Sequence, residues 1–237
     1  MSADACKRAA GEAAAALVED GMTVGLGTGS TAVFLVAALG RRAREEGLRL
    51  RCACTSRATE AQARQEGLTI IDLDAAGEVD LTIDGADEVG PHLALIKGGG
   101  AALTREKLVW TASRRCVVIA DASKLVPLLG AFPLPVEVVG FGHATTAARI
   151  ARACAHAGVP AEPRLRRRDG APLETDNGGL IYDLPCGAIP DPVALAGALK
   201  PLTGVVEHGL FPGLADLALI GAADGAVRTL RSTDRTG

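Results

Sequence analysis

The chain has few aromatic residues and no long apolar run. Its 237 residues include four Phe, one Trp and one Tyr, so base-stacking platforms for nucleic acid are scarce and the core must be built from Ala, Val, Leu and Ile. No apolar stretch reaches the length of a membrane span, and the N-terminus lacks the basic-then-apolar order of a signal peptide. We therefore expect a cytoplasmic protein.

The chain also lacks a net positive charge and a pattern of paired cysteines. The formal charge of −3 provides no basic field for nucleic acid, and the one dense basic run, Arg164–Arg168, is interpreted as a strand with a solvated face. Six cysteines lie mostly within apolar runs and predict no disulfide framework. Cys52 and Cys54 have no second CxxC or His pair to complete a metal site, so we expect core packing and no metal.

Alternating helical and strand-like segments predict an α/β fold, in which a parallel sheet is flanked by helices in a Rossmann-like arrangement. Pro127, Pro133 and Pro135 are interpreted as interrupting any regular element and marking a boundary. A smaller α+β domain is then expected before C-terminal strands that return to the first domain. The predicted domains are residues 1–128 plus 205–237, and residues 129–204, the latter with a role in oligomerisation.

The first candidate loop, Gly25–Thr31, has the sequence GLGTGST after a predicted strand and before a helix. Free backbone amides at the start of a helix favour binding of an anion, and phosphate is the expected ligand. Thr28, Ser30 and Thr31 would add hydroxyl donors. An ordinary tight turn is the alternative. NAD binding is disfavoured because the third glycine is one place early, and no carboxylate follows the second strand, which also counts against a methyltransferase.

Two further loops carry candidate chemistry. Asp84–Glu88, DGADE, follows an apolar strand, at the sheet edge where ligands bind; a capped turn or a Mg²⁺ site are the alternatives. Lys97–Lys107, KGGGAALTREK, has three glycines that indicate a close approach to the backbone. Glu106 falls in the first turns of the next helix, where its side chain can point back toward the loop; taken alone, it would be a solvated charge.

Taken in order, these three loops with ADASK (120–124), FPLPVE (132–137), TDNG (175–178), GVV (204–206) and GLF (209–211) resemble the signature of the ribose-5-phosphate isomerase A family over nearly the whole chain. The resemblance implies a cofactor-free isomerase that interconverts ribose 5-phosphate and ribulose 5-phosphate in the pentose phosphate pathway. It also implies a homodimer or homotetramer. A sugar-phosphate-sensing regulator should carry a DNA-binding module, and no segment is left over for one.

The resemblance assigns roles to individual residues. It places the general base on Glu106, paired acidic residues on Asp84 and Asp87, and the sugar-contacting lysine on Lys97. Of the two aspartates, Asp84 is expected to assist ring opening. Substrate contacts are also expected from Asp84, Asp87 and Lys97, from some other residues of the three loops and from two further lysines: Thr28, Gly29, Ser30, Thr31, Gly85, Ala86, Gly98, Gly99, Gly100, Lys124 and Lys7.

Overall fold

The structure, a computed structural model, describes residues 3–232. Residues 1–2 and 233–237, which the sequence analysis assigned to the first domain, lie outside the described residues. No helix within the described part is long and apolar enough to cross a membrane. The helices are α1 Ala3–Ala15, α2 Ala32–Glu46, α3 Arg57–Gln65, α4 Leu73–Ala76, α5 Leu103–Thr111, α6 His143–His156 and α7 Pro192–Leu199, with 3-10 turns at Pro91–Leu93 and Ala122–Lys124.

The strands are short, as expected for a chain that alternates between sheet and helix. They are β1 Thr23–Leu26, β2 Arg51–Cys54, β3 Thr69–Ile70, β4 Leu81–Gly85, β5 Glu88–Val89, β6 Leu95–Ile96, β7 Cys116–Asp121, β8 Leu134–Val138, β9 Arg164–Leu165, β10 Arg167–Arg168, β11 Ala171–Pro172, β12 Leu180–Leu184, β13 Val205–His208, β14 Leu210–Phe211, β15 Leu217–Gly221 and β16 Val227–Arg231.

The chain divides into two compact units. The first contains the chain up to Ala86, Arg105–Leu125, and the chain from Gly213 onward; the second contains Asp87–Thr104 and Val126–Pro212. The predicted domains place residues 87–104, 126–128 and 205–212 in the first domain, whereas the structure places them in the second unit. Residues 87–104 and 205–212 fall there because β5 and β6 form a three-stranded sheet with β14, and because β13 pairs with β8. Local patterns do not reveal these long-range pairings.

The first unit is built on a seven-stranded sheet in the order β16-β15-β7-β4-β1-β2-β3. All neighbours are parallel except β15 and β16. Strands such as β1 and β7 are apolar because both faces are covered, and Leu35 and Leu39 of α2 share one core with Val24 and Ile83. The predicted fold class, a mostly parallel sheet flanked by helices, is confirmed.

The strand order reverses at β1, since the chain continues to β2 and β3 on one side and to β4, β7 and β15 on the other. In open α/β sheets, ligands bind at the carboxyl ends of the strands that flank such a reversal. Here those ends carry residues 27–31 after β1 and residues 84–86 in and after β4. The topology therefore brings two of the three candidate loops to one sheet edge.

The second unit has an antiparallel sheet in the order β13-β8-β12-β9. Ile150 of α6 and Leu195 of α7 pack in one core with Val136 and Leu184 of this sheet. The prediction that Pro135 interrupts regular structure is wrong, because it lies inside β8. It has no N–H to contribute to the ladder, and its carbonyl accepts the Gly209 N–H at 2.7 Å.

The prediction of a single strand over Arg164–Arg168 is also wrong. The structure has two strands of two residues each, β9 and β10, and Arg166 lies between them. The backbone of Arg166 is nevertheless paired, since its N–H donates to Ile181 O at 2.8 Å and its carbonyl accepts the Leu173 N–H at 2.9 Å. Arg166 therefore joins two short strands, and because its side chain is only 14% exposed the solvated-face interpretation does not hold for this residue.

Candidate active site

The first candidate loop connects β1 to α2 and is tied to β4 by its backbone. Gly27 N–H donates to Ile83 O at 3.0 Å, and Thr28 N–H donates to Asp84 Oδ1 at 2.9 Å. A Cβ at Gly27 would lie 2.0 Å from that same carboxylate oxygen. Glycine is required here because the loop passes against a buried side chain.

The amides of Gly29, Ser30 and Thr31 donate to no other residue in the described part of the chain. Gly29 and Ser30 are exposed, and α2 begins at Ala32. A helix start combines unpaired N–H groups with the positive end of the helix dipole, which together favour an anion. The loop therefore presents backbone donors that favour an anion, and its contact with a phosphate group stays a prediction.

The side chain of Thr28 belongs to a chain of hydroxyls. Thr28 Oγ1 lies 2.7 Å from Thr55 Oγ1 and donates to Ser56 Oγ at 2.8 Å. Ser56 Oγ donates to Thr59 Oγ1 at 3.0 Å, which donates to the Gly27 carbonyl at 2.9 Å. Each hydroxyl has one proton, so that of Thr28 is already used within the protein. The donors left for an anion are the backbone amides, Ser30 and Thr31.

Asp84 is the fourth residue of β4 and is fully buried. Its Oδ1 accepts two backbone N–H groups, from Thr28 at 2.9 Å and from Gly85 at 2.7 Å. One carboxylate oxygen thus holds both the backbone after β1, at Thr28, and the end of β4, at Gly85. Gly85 and Ala86 continue from it at the same sheet edge.

Lys7 of α1 and Lys124 of the 3-10 turn after β7 both act on Asp121. Burial raises the pKa of Asp121, but hydrogen bonds from Ser123 and the positive charges of Lys124 and Lys7 lower it, and the pKa lies below its ordinary value. The charges of both lysines therefore act on one carboxylate near the carboxyl end of β7, and the ammonium of Lys7 also lies 4.0 Å from Asp4 Oδ1. The contact of these lysines with a phosphate stays a prediction.

Glu106 is the fourth residue of α5 and is 3% exposed. A buried carboxylate in the first helical turn is favoured by the helix dipole, and its burial distinguishes it from an ordinary solvated helix charge. The division between the two units falls inside α5, between Thr104 and Arg105. Glu106 thus lies two residues past that division, within the first unit.

The second unit carries Asp87, Lys97 and the three glycines. Lys97 is 1% exposed, its N–H donates to Gly209 O at 2.9 Å, and its ammonium lies 5.5 Å from the centre of the Phe211 ring. Gly99 N–H donates to Asp87 Oδ2 at 2.7 Å. Gly98 has φ +105°, a conformation that favours glycine. A buried ammonium and backbone amides are groups that can stabilise an oxyanion.

Sequence reasoning missed two charged residues of the second unit, Glu137 and Arg166. Glu137 of β8 is buried and accepts hydrogen bonds from the hydroxyls of Thr104, in the first turn of α5, and Thr175. Arg166 donates to the carbonyls of Gly98 and Gly99. Glu137 and Thr175 lie in motifs quoted for the resemblance, which was a usable signal, whereas Arg166 was grouped with a run of surface charge.

Metal ligation was not expected, and no group of three or more His, Cys, Asp or Glu residues within 3–232 is arranged to hold a metal ion. None of the six cysteines, all in the described range, forms a disulfide. Burial raises the pKa of the Cys52 and Cys54 thiols to about 12, so both are protonated at neutral pH.

Comparison with known proteins gives consistent results. Residues 51–225 match the family model of ribose 5-phosphate isomerase A (phosphoriboisomerase A). A ribose-5-phosphate isomerase A of Caulobacter vibrioides (strain NA1000 / CB15N) is 59% identical over 228 residues, covering 96% of this chain and 99% of the relative.

Solved structures show the same likeness. The ribose 5-phosphate isomerase of Plasmodium falciparum superposes with a TM-score of 0.92 at 34% identity, covering 97% of this chain and 99% of that one. A D-ribose-5-phosphate isomerase in complex with phospho-erythronic acid gives a TM-score of 0.90 at 33% identity, covering 98% and 100%.

Proposed function

We propose how the residues of this chain perform its reaction, given that it belongs to the ribose 5-phosphate isomerase A family. It is an aldose–ketose isomerase that interconverts D-ribose 5-phosphate and D-ribulose 5-phosphate in the pentose phosphate pathway. The route is a proton transfer through a cis-enediolate, with Glu106 as the base. The observation that carries this proposal is the burial of Glu106 in the first turn of α5. No metal ion or organic cofactor takes part.

The substrate phosphate is bound by the loop between β1 and α2. The amides of Gly29, Ser30 and Thr31, which have no partner within residues 3–232, and the hydroxyls of Ser30 and Thr31 supply donors for an anion. Lys7 and Lys124 add positive charge. Thr28 holds the loop in shape through Asp84 and the hydroxyl chain, and it can accept a hydrogen bond from the sugar. Binding energy from the phosphate orients the reacting carbons.

The reaction needs an open sugar chain, and Asp84 assists the ring opening. Its Oδ1 is fixed by two backbone donors, so the carboxylate is held in one orientation before substrate arrives. Gly85, Ala86 and Asp87 contact the sugar beside it. Asp87 is itself oriented by the Gly99 amide.

Glu106 then takes the proton from C2 of the open aldose. The C2–H electron pair forms the C1–C2 double bond, and negative charge moves onto the oxygen at C1. Lys97 and the amides of Gly98 and Gly100 stabilise this oxyanion. Glu106 returns the proton to C1, the proton of the C2 hydroxyl passes to the oxygen at C1, and a carbonyl forms at C2. One carboxyl group therefore serves as base and then as acid.

The test is an assay of the purified protein with ribose 5-phosphate, in which ribulose 5-phosphate is measured directly. Running the reaction in deuterated water should introduce label at the carbon that receives the proton. Ribose without the phosphate is the control substrate and should react far more slowly. Failure to form ribulose 5-phosphate would refute the activity, whereas turnover without any wash-in of label would argue against the proposed solvent-exchanging base.

Assembly and location belong to the same proposal. We infer a homodimer or homotetramer in the cytoplasm. Two apolar side chains of the second unit, Val139 and Phe141, are 49% and 96% exposed, which supports a role of this unit in self-association. Sedimentation of wild type and Phe141→Ser tests this, since an unchanged oligomer in the variant would exclude Phe141 from the interface.

A further inference from the structure

Arg166 differs from its neighbours in the basic run Arg164–Arg168. Arg164, Arg167 and Arg168 are exposed, and Arg167 donates to a carbonyl of its own turn, Gly170 O, at 2.8 Å. The side chain of Arg166 is only 14% exposed. A cation that leaves water in this way must be compensated by several hydrogen bonds, and the structure shows where they are.

The guanidinium of Arg166 is held on one side by a carboxylate. Its Nε donates to Asp183 Oδ2 at 2.9 Å, and Nη2 donates to Asp183 Oδ1. This is the two-point pairing that a planar guanidinium makes with a carboxylate. Asp183 lies on β12, a regular strand of the second unit, so Arg166 is anchored to a rigid element.

The remaining terminal nitrogen of Arg166 contacts the glycine loop. Nη1 donates to Gly98 O at 2.8 Å and to Gly99 O at 3.1 Å. Nη1 carries two hydrogens, one for each carbonyl. Four of the five N–H groups of Arg166 are therefore engaged, two by the carboxylate and two by consecutive carbonyls of the Lys97–Gly100 loop.

These contacts fix the amides of the loop as well as its carbonyls. In a trans peptide the C=O and the following N–H point in opposite directions. With the carbonyls of Gly98 and Gly99 turned toward Arg166, the N–H groups of Gly99 and Gly100 are turned away from it. Gly99 N–H donates to Asp87 Oδ2 at 2.7 Å, and Gly100 N–H has no partner among the residues that the structure describes.

Three consecutive glycines have wide conformational freedom, so the direction of these amides must be set from outside the loop. We propose that Arg166, held by Asp183, is a positioning residue of the isomerase that keeps the Gly99 and Gly100 amides directed to the side where Asp87 lies. This inference rests on the proposed function, in which the Gly100 amide stabilises the enediolate oxygen and the Gly99 amide orients Asp87. Arg166 itself does not touch the substrate.

The alternative is that Arg166 only stabilises the fold. Arg166→Lys separates the two roles, because it keeps the charge and the aliphatic stem but cannot make four hydrogen bonds in a plane. We expect its kcat to fall at least about tenfold with KM changed less than about threefold, since a displaced oxyanion donor acts mainly on the transition state. Asp183→Asn, which weakens the anchor, should show a smaller loss of the same kind.

The matched control is Arg168→Lys, the same change two residues away on an exposed side chain; its kcat should stay within about twofold of wild type. A second measurement uses Arg166→Ala with added ethylguanidinium at low millimolar concentration. Partial recovery of kcat, absent with ethylammonium at equal ionic strength, is expected if the planar fork is what the loop needs.

Each outcome has a defined meaning. If Arg166→Lys unfolds at a lower temperature but keeps kcat within about twofold of wild type at assay temperatures below its Tm, the residue is structural only and the proposal is overturned. If Arg166→Ala does not fold, the kcat and KM of Arg166→Lys decide. Inactivity of both wild type and Arg168→Lys on ribose 5-phosphate would instead refute the proposed function.

Discussion

The two glycine loops of this chain are held in different ways. The loop of the first unit, Gly27–Thr31, is fixed by neutral hydroxyls and by one carboxylate at the end of an adjacent strand. The loop of the second unit, Gly98–Gly100, is fixed by a guanidinium 68 residues further along the chain and by the carboxylate of Asp87. The loop of the first unit leaves several amides that can bind an anion. In the loop of the second unit, charged side chains set the direction of the amides.

This difference matches the tasks that we assign. A phosphate carries its charge throughout the reaction, so a static set of donors at a helix start is sufficient. The enediolate oxygen gains charge only in the transition state, where a small displacement of a donor is costly. We therefore expect changes in the first loop to act mainly on KM, and changes in the second to act mainly on kcat.

The largest effect should come from the proposed base. We predict that Glu106→Gln lowers kcat by about 10² to 10⁴, or roughly 3 to 5 kcal/mol of barrier, because the side chain keeps its shape but cannot accept the proton. KM should change little, since both loops remain intact. Steady-state kinetics and deuterium exchange at C2 measure this.

The control is Glu46→Gln, the same change in an exposed carboxylate at the end of α2. It should behave as wild type. Near-normal exchange at C2 in Glu106→Gln would show that another residue is the base. The roles assigned to the two loops would then have to be compared again with respect to that residue.

The next largest effect tests the second loop. We predict that Lys97→Arg lowers kcat/KM at least about tenfold, roughly 1.4 kcal/mol. Lys97 is 1% exposed and lies over the Phe211 ring, so the larger planar guanidinium does not fit the place of a compact ammonium. Lys200→Arg is the control, because that side chain is about half exposed. Equal activity of both variants would remove the role of Lys97.

A smaller effect is expected in the first loop. We predict that Ser30→Ala raises KM by about three- to tenfold, with kcat changed less, since one hydrogen bond to a charged group is lost in ground and transition states alike. Lys124→Ala should act in the same direction. Thr229→Ala, an exposed hydroxyl on β16, is the control. A loss confined to kcat would contradict the division of tasks between the loops.

No effect at all is expected from removal of metal ions. The enediolate charge is met by Lys97 and by amides in our proposal, so treatment with EDTA should leave kcat and KM unchanged. The measurement is a progress curve before and after chelation and dialysis. Activity that is lost and then restored by Mg²⁺ or Zn²⁺ would show that the second loop shares its task with a cation.

Much of the fold was predictable, because its signals are local. Apolar runs such as Cys116–Asp121 and the Ala-rich α1 have the length and periodicity of their elements. The strand interpretation failed at Pro135 and Arg166. The backbone at both residues pairs with distant segments. Proline is usually excluded from strands because it has no N–H donor, but the sequence does not show whether a particular strand position needs that donor.

In the candidate site, too, the features with local sequence signals were predictable and those that depend on distant contacts were not. The phosphate loop, Asp84 and Glu106 could be proposed from motifs, because glycine and carboxylate patterns beside strand ends carry their chemistry locally. The sequence could not show that Thr28 uses its proton on Ser56, or that Arg166 reaches Gly98. Such contacts are set by tertiary packing, and an arginine within a run of arginines gives no sign that it is turned inward.

The position of β15 in the first sheet has a consequence for synthesis of the protein. β7 pairs with β15, and Cys116 N–H donates to Asp216 Oδ2 across a separation of 100 residues. Until that late segment leaves the ribosome, the apolar strand β7 is an open edge, which invites pairing with other chains. The nascent first unit therefore depends on its last strands for protection from aggregation, and loss of residues from Gly213 onward should affect solubility before it affects chemistry.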